Sequence, residues 1–125
     1  EVKFIHQSVF EKSNALKTID FQQIVQNLIE NSVKYGASEV VLDFKFREEI
    51  TLSFSDNGVG IPTNDFSFIF DKYYRVDRSI NQNVSGLGVG LFLIKNIIDR
   101  YSGTINVENN KEKGVQFLIV LPNEN

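Results

Sequence analysis

QNLIENSVKYG, residues 26–36, carries two stripes on one helix. Leu28, Ile29 and Val33, extended backward by Ile24 and Val25, recur at the spacing of an apolar face that packs on a core. Asn27, Asn31 and Lys34 recur at steps of four and three and share a second face. Two carboxamides inside a helix need a reason, because the Asn amide competes with the backbone for hydrogen bonds. The polar stripe reads either as a solvated face or as one wall of a ligand site. In the second reading, carboxamide oxygens meet a hard cation such as Mg²⁺ and the Lys34 ammonium meets anionic oxygens. Asp20 stands where an N-cap belongs, with Gln23 three residues on, and Gly36 supplies a stop, which predicts a helix over about residues 21–35.

Before this helix, VKFIHQSVF (2–10) reads as a strand and EKSNALKT (11–18) as a polar connector. After it, Val40, Leu42, Phe44 and Phe46 share one side of a strand, and Ile50, Leu52 and Phe54 share one side of the next. Arg47, Glu48 and Glu49 lie between them, so the pair is a hairpin. DNGVGIP (56–62) is a loop, and PTNDFSFIF (62–70) can form a short helix starting at Pro62. Residues 71–86 carry little periodicity, and a loop of that length in a compact domain is usually functional or disordered. A second helix is predicted over about residues 88–101, with Leu91, Ile94, Ile98 and Tyr101 in one stripe. GTINVEN (103–109) and GVQFLIVLP (114–122) read as a closing hairpin. The expected architecture is α/β in the α+β two-layer sense: helices on one face of a mixed, mostly antiparallel five-stranded sheet.

The 125 residues suffice for one domain with a real core and are too few for two ordinary ones. A net charge of −3, from 13 basic and 16 acidic residues, gives no basic excess to neutralise phosphates, which argues against nucleic acid or an anionic membrane as main partner. Without cysteine there is no disulfide framework and no thiolate metal site, a composition suited to the cytoplasm. No apolar run is long enough to span a bilayer, and no signal peptide is visible. Methionine is absent even at position 1, so the chain is read as a fragment of a longer protein whose other parts its function needs.

Three further segments carry chemistry. DNGVGIP reads either as a plain Asn-Gly turn or as a loop whose glycines let backbone approach a flat ligand. Its Asp56 ends an apolar strand, where a carboxylate is costly unless a donor meets it. SGLGVGL (85–91) reads either as a glycine cap or as a phosphate cradle at a helix mouth; it fits neither the Walker A pattern nor G-x-G-x-x-G. IFDKYYRVDRS (69–79) sets Lys72, Arg75 and Arg78 beside Phe70, Tyr73 and Tyr74, either as a surface loop with an aromatic anchor or as a cover that brings cations over phosphates. His6 is the only histidine and reads as structural or exposed rather than as a ligand.

In this order, the four segments resemble the catalytic, ATP-binding domain of sensor histidine kinases. NLIENSVKYG is similar to that family's N box, DNGVGIP to its first glycine box, IFDKYYRVD to its F box and GLGVGL to its second glycine box. SGTINVENNKEKGVQFLIVLP (102–122) is similar to its closing hairpin. The resemblance covers nearly the whole chain after about residue 15 and implies the α/β sandwich shared with type II topoisomerase ATPases, large heat-shock chaperones and mismatch-repair ATPases.

It also implies roles. Asn31 would hold Mg²⁺ with Asn27 beside it, and Lys34 and Tyr35 would contact the phosphates and nucleoside. Asp56 would accept from the adenine amine in a pocket shaped by Gly58, Gly60 and Ile61. Tyr74 would line the nucleotide, and Arg75 would lie towards the γ-phosphate. Gly86, Leu87, Gly88, Val89, Gly90 and Leu91 would wrap the phosphates, with residues 76–85 as the ATP lid between the F box and the second glycine box. Asn31, Lys34 and Arg75 would be the catalytic set. In the related ATPases a glutamate that activates water holds the place of Asn27, and Asn has no basic lone pair for that task. Glu30 is expected to point away from the Mg²⁺ face. Val115 stands where many relatives have Ser or Thr, so one polar contact near adenine is expected to be missing.

The implied function is transfer of the γ-phosphoryl of Mg-ATP to a histidine on a dimerisation and phosphoacceptor domain that this chain lacks. The implied partners are that domain, in a homodimer, and a response-regulator receiver domain, in the cytoplasmic portion of a membrane-anchored sensor. The competing readings are an ATP-hydrolysing conformational switch of the same superfamily and a non-catalytic partner-binding module.

Overall fold

The computed structural model describes residues 16–72 and 90–123, and the backbone of residues 3–10. Five strands form one sheet: β1 (Lys3–Phe10), β2 (Glu39–Phe46), β3 (Glu49–Asp56), β4 (Thr104–Asn109) and β5 (Val115–Pro122). Their spatial order is β1-β2-β3-β5-β4. β1 runs parallel to β2, with Lys3 opposite Glu39 and Phe10 opposite Phe46, and every other pairing is antiparallel. A parallel pair needs a crossover, and helix α1 (Thr18–Lys34) supplies it. Helix α2 (Gly90–Arg100) packs beside α1. The sheet is therefore mixed and mostly antiparallel, as the order of the elements predicts.

Period-two alternation decides which side of the sheet is covered. Val40, Leu42 and Phe46 of β2, Ile50, Leu52 and Phe54 of β3, and Val115, Phe117, Ile119 and Leu121 of β5 are buried, and together with Ile24, Leu28, Ile94, Ile97 and Ile98 of the helices they form the core. Phe44 is half-buried and stacks edge-on with Phe21 and Phe46, at centroid distances of 5.2 and 5.5 Å. On the other face Ser53 accepts from Gln116 Nε2 at 3.1 Å, and Val41 and Leu118 are exposed apolar residues there.

The buried residues of α1 are Asp20, Ile24, Leu28 and Ser32, one every four positions. Its core stripe thus has two apolar members in the middle and a polar group at each end. A buried polar group is costly without a partner, and both ends have one. Asp20 accepts from the Tyr101 hydroxyl and, at 3.2 Å, from Arg100, which ties the start of α1 to the end of α2. The expected N-cap role is thereby corrected. The helix begins at Thr18 after Lys17, with no side-chain cap, and Asp20 lies in the first turn with its carboxylate drawn to α2. These bonds, from Tyr101 first, hold the Asp20 carboxyl below its usual pKa, while burial and the facing carboxylate push the Tyr101 phenol up.

Other boundaries shift slightly. Val33, placed on the apolar stripe by periodicity, is 52% exposed, whereas Ile97 joins the buried stripe of α2. The segment after Pro62 forms only a three-residue 3-10 turn, Thr63–Asp65, followed by hydrogen-bonded turns to Asp71. Gly36 ends α1 as predicted, with φ of +83° and its N–H donating to Val33 O at 3.2 Å.

Candidate functional site

Two periodicities meet at one point. Along β3, Ile50, Leu52, Phe54 and Asp56 point to the helix side, so the fourth inward residue is a carboxylate. Along α1, the residue that ends the buried stripe is Ser32. They meet under the C-terminal half of the helix, where the Ser32 hydroxyl donates to Asp56 Oδ2 at 2.7 Å. Asp56 is 6% exposed and Ser32 1% exposed. The other carboxylate oxygen, Oδ1, accepts the backbone N–H of Gly58 at 3.0 Å and of Val115 at 3.2 Å. A carboxylate at the end of an apolar strand is thus met by three donors from three parts of the chain. The Val115 side chain brings no hydroxyl, but its backbone N–H supplies a polar contact to Asp56 itself.

The loop after Asp56 is fixed by side chains reaching across large sequence separations. Asn57 Oδ1 accepts the N–H groups of Ser38 and Glu39 at 2.9 and 3.0 Å, and its Nδ2 donates to Ser38 Oγ at 3.0 Å, which staples the loop to the turn after α1. Val59 N–H donates to Tyr35 O at 3.2 Å. Asn109 clasps Ile61 from both sides, accepting its N–H at 2.9 Å and donating to its carbonyl at 2.6 Å. Asn110 Nδ2 donates to Ser55 Oγ and to Asp56 O, each at 2.9 Å.

This packing explains the glycines first through the protein's own contacts. A Cβ on Gly58 would lie 2.8 Å from Tyr35 O, and one on Gly60, whose φ is +79°, would lie 3.0 Å from Asn109 Oδ1. Gly114 is the most constrained: its φ is +95° and a Cβ would fall 1.8 Å from Asp56 O. The turn between β4 and β5 therefore seats directly on the Asp56 backbone.

The polar stripe of α1 lies beside this carboxylate. Asn31 precedes Ser32, and Asn27 is one turn earlier, about 6 Å along the axis. Both are half-buried, as are Lys34 and Tyr35. Asn27 Nδ2 is buried and has no hydrogen-bond partner among the described residues. A Cβ on Gly90, the first residue of α2, would come within 4.0 Å of Asn27 Cβ, so that helix start faces Asn27. Glu30 is exposed and accepts from Gln26 Nε2 at 3.3 Å, off the stripe of Asn27 and Asn31. Leu91 is half-buried and packs on the core, and Ile61 is buried beneath the loop.

The structure therefore places Asn27, Asn31 and Lys34 on α1 with Tyr35 at its end, Asp56 and Gly58 against that end, Gly90 facing Asn27, Gly60 and Ile61 in the loop that Asn109 clasps, and Leu91 on α2 against the core. Tyr74, Arg75, Gly86, Leu87, Gly88, Val89 and the lid, residues 76–85, lie outside the described residues, as does the side chain of His6. Among the described residues no group of three His, Cys, Asp or Glu side chains could hold a metal ion. A dedicated cage is thus absent there, and the carboxamides of Asn31 and Asn27 would suit only a Mg²⁺ ion that keeps waters and draws its anionic ligands from a bound phosphate group. Sequence reading passed over Ser32, Asn57, Asn109 and Asn110. Ser32 did leave a signal, as a hydroxyl at i+4 from Leu28 on a stripe otherwise bound for the core.

The family model described as "Histidine kinase-, DNA gyrase B-, and HSP90-like ATPase" matches residues 17–125. The sensor protein CiaH of Streptococcus pneumoniae is 38% identical over 116 residues, which cover 90% of this chain and 25% of that protein. The sensor protein kinase WalK of Staphylococcus haemolyticus is 34% identical over 107 residues, 82% of this chain and 18% of that one. The chain thus spans about a quarter or less of these relatives. Among solved structures, the mycobacterial sensor histidine kinase MprB superposes with a TM-score of 0.75 at 20% identity, covering 97% of this chain and 81% of that one. Full-length ShkA in complex with AMPPNP gives 0.76 at 20% identity, covering 97% of this chain and 25% of that one.

Proposed function

Because the chain belongs to the family of histidine kinase-, DNA gyrase B- and HSP90-like ATPases, we propose that it is the ATP-binding catalytic domain of a two-component sensor kinase, which passes the γ-phosphoryl of Mg-ATP to a histidine on a dimerisation domain of the longer protein. The observation that carries this reading is the Ser32–Asp56 hydrogen bond. It fixes an acceptor suited to a nucleobase amine one residue away from Asn31, on the same helix that presents Asn27 and Lys34. Base recognition and phosphate handling thereby share one rigid element, which is what catalysis by positioning requires.

In this reading Asp56 accepts from the adenine amine, and Gly58, Gly60, Ile61 and Tyr35 border the base and nucleoside. Asn31, with Asn27, would hold Mg²⁺, which would neutralise phosphate charge when bound. Lys34 faces the phosphates. Asn27 Nδ2, without a partner among the described residues, and the start of α2 at Gly90 offer an amide donor and a helix N-terminus to anionic oxygens. Leu91 follows Gly90, and Gly86, Leu87, Gly88, Val89, Tyr74 and Arg75, which lie outside the described residues, are proposed for the same nucleotide.

Transfer to histidine rather than to water is favoured by Asn27. A carboxamide cannot take a proton from water, whereas an imidazole with a pKa of about 6.5 is largely neutral at pH 7 and attacks unaided. The partners are then the phosphoacceptor domain, dimeric in the longer protein, and a receiver domain that takes the phosphoryl onward. The setting is the cytoplasmic side of a membrane-anchored sensor; among the described residues no helix is long and apolar enough to cross a membrane.

The test is incubation with γ-labelled Mg-ATP. The longer protein should acquire an acid-labile, alkali-stable label, while this chain alone acquires none and does not hydrolyse ATP steadily. Sustained hydrolysis by this chain would overturn the kinase reading in favour of a hydrolytic switch.

A further inference from the structure

We propose that Ser32 is a positioning residue that makes Asp56 a one-sided acceptor and so sets the preference for a purine bearing a six-amino group. The inference deepens the nucleotide-site reading and rests on it. Each carboxylate oxygen has two acceptor positions. Those of Asp56 Oδ1 are both filled, by Gly58 N–H at 3.0 Å and Val115 N–H at 3.2 Å. Oδ2 takes the Ser32 hydroxyl at 2.7 Å, which leaves one position open among the described residues.

The same bond fixes Ser32. Its one proton goes to Asp56 Oδ2, so Oγ keeps only lone pairs for anything else nearby. Oδ2 then presents one acceptor, beside a hydroxyl whose only proton is already committed to it. A six-amino group offers N–H to Oδ2. A six-oxo group presents a second acceptor and is left unpaired, a mismatch that buried polar sites reject strongly. With Ser32 1% exposed, water does not replace its hydroxyl freely.

The bond also orients the carboxylate. Oδ1 is bound to backbone on β5 and on the glycine loop, and without Ser32 the plane of the group is held from one side only. Ser32 acts through Asp56 and is a positioning residue in that sense.

The experiment is a calorimetric titration of this chain with ADP, inosine diphosphate and purine riboside diphosphate, the last lacking any six-substituent. Wild type should bind ADP best. Ser32→Ala, which places a strong helix former in α1, should weaken ADP on the order of tenfold and leave purine riboside diphosphate unchanged. Ser32→Cys, a weaker donor of similar size, should fall between, and it supplies the comparison if the Ala variant does not fold. Equal weakening of ADP and purine riboside diphosphate would overturn the proposal, because a merely structural role would not sense the amino group. Wild type that binds none of the three would overturn the nucleotide-site reading itself, and the Ser32 proposal with it.

Discussion

Replacing Asp56 by Ala or by Asn separates what the carboxylate does for the fold from what it does for a ligand. Its three partners are the N–H groups of Gly58 and Val115 and the Ser32 hydroxyl, at 3.0, 3.2 and 2.7 Å. Asp56→Ala removes the acceptor of all three at a position only 6% exposed. A buried donor left unsatisfied costs about 1–3 kcal/mol, so the Ala variant should lose at least about 3 kcal/mol of the roughly 5–15 kcal/mol that hold a small domain folded. In Asp56→Asn the carboxamide oxygen takes the place of Oδ1 and keeps both backbone bonds. Its nitrogen takes the place of Oδ2 and donates to Ser32 Oγ. That variant should lose only about 1 kcal/mol, the difference between charged and neutral hydrogen bonds. Yet it turns the open acceptor into a donor facing the ligand amine, and ADP affinity should fall at least about 100-fold, or about 2.7 kcal/mol. Urea denaturation followed by circular dichroism gives the stabilities, and calorimetric titration gives the affinities. An Ala variant within about 1 kcal/mol of wild type, or an Asn variant as unstable as the Ala one, would refute the assigned hydrogen bonds.

The Asp20–Tyr101 pair should shape both ends of the pH–stability profile. The folded-state pKa of Asp20 is lowered from 3.8, so its contribution is present above that value and is lost as pH falls through the folded pKa; Asp20→Asn should flatten the acid limb. Tyr101 is raised from 10.0, so its contribution is complete below pH 10 and is lost as pH rises through the folded pKa; Tyr101→Phe should flatten the alkaline limb. Both effects are read from urea midpoints against pH, and unchanged limbs would count against the pair. Gly114→Ala, with a Cβ 1.8 Å from Asp56 O, should cost more than about 3 kcal/mol, whereas Gly36→Ala, at φ +83° with nothing within 4 Å, should cost about 1 kcal/mol. Equal losses in a denaturant titration would sink that contrast. Asn31→Ala should abolish the gain in ATP-analogue affinity that Mg²⁺ gives and leave Mg²⁺-free binding intact, and affinity that still rises with Mg²⁺ would argue against its role.

The elements were legible because their signals are local. Alternation from Val40 to Phe46 and from Ile50 to Phe54 gave the β2–β3 hairpin, and Gly36 marked the end of α1. The polar stripe of Asn27, Asn31 and Lys34 was legible for the same reason, since helical spacing alone puts the three on one face. The connections that build the site were not, because their partners are distant in the chain. Nothing near Asn109 announces that it clasps Ile61, nor near Gly114 that it seats on Asp56. Asp20 has the pattern of a capping residue, and only the arrival of Tyr101 and Arg100 from α2 turns it inward. Ser32 is the intermediate case: its place on the core stripe was readable, but the partner that makes a buried hydroxyl tolerable lies 24 residues away.

Calorimetric titration of this chain with a non-hydrolysable ATP analogue, with and without Mg²⁺, tests most directly whether the helix face and the Asp56 loop form one nucleotide site. Saturable binding that tightens with Mg²⁺ and is lost in Asp56→Asn is the predicted result. Absence of binding in both conditions, by a chain whose denaturation remains cooperative, would contradict it.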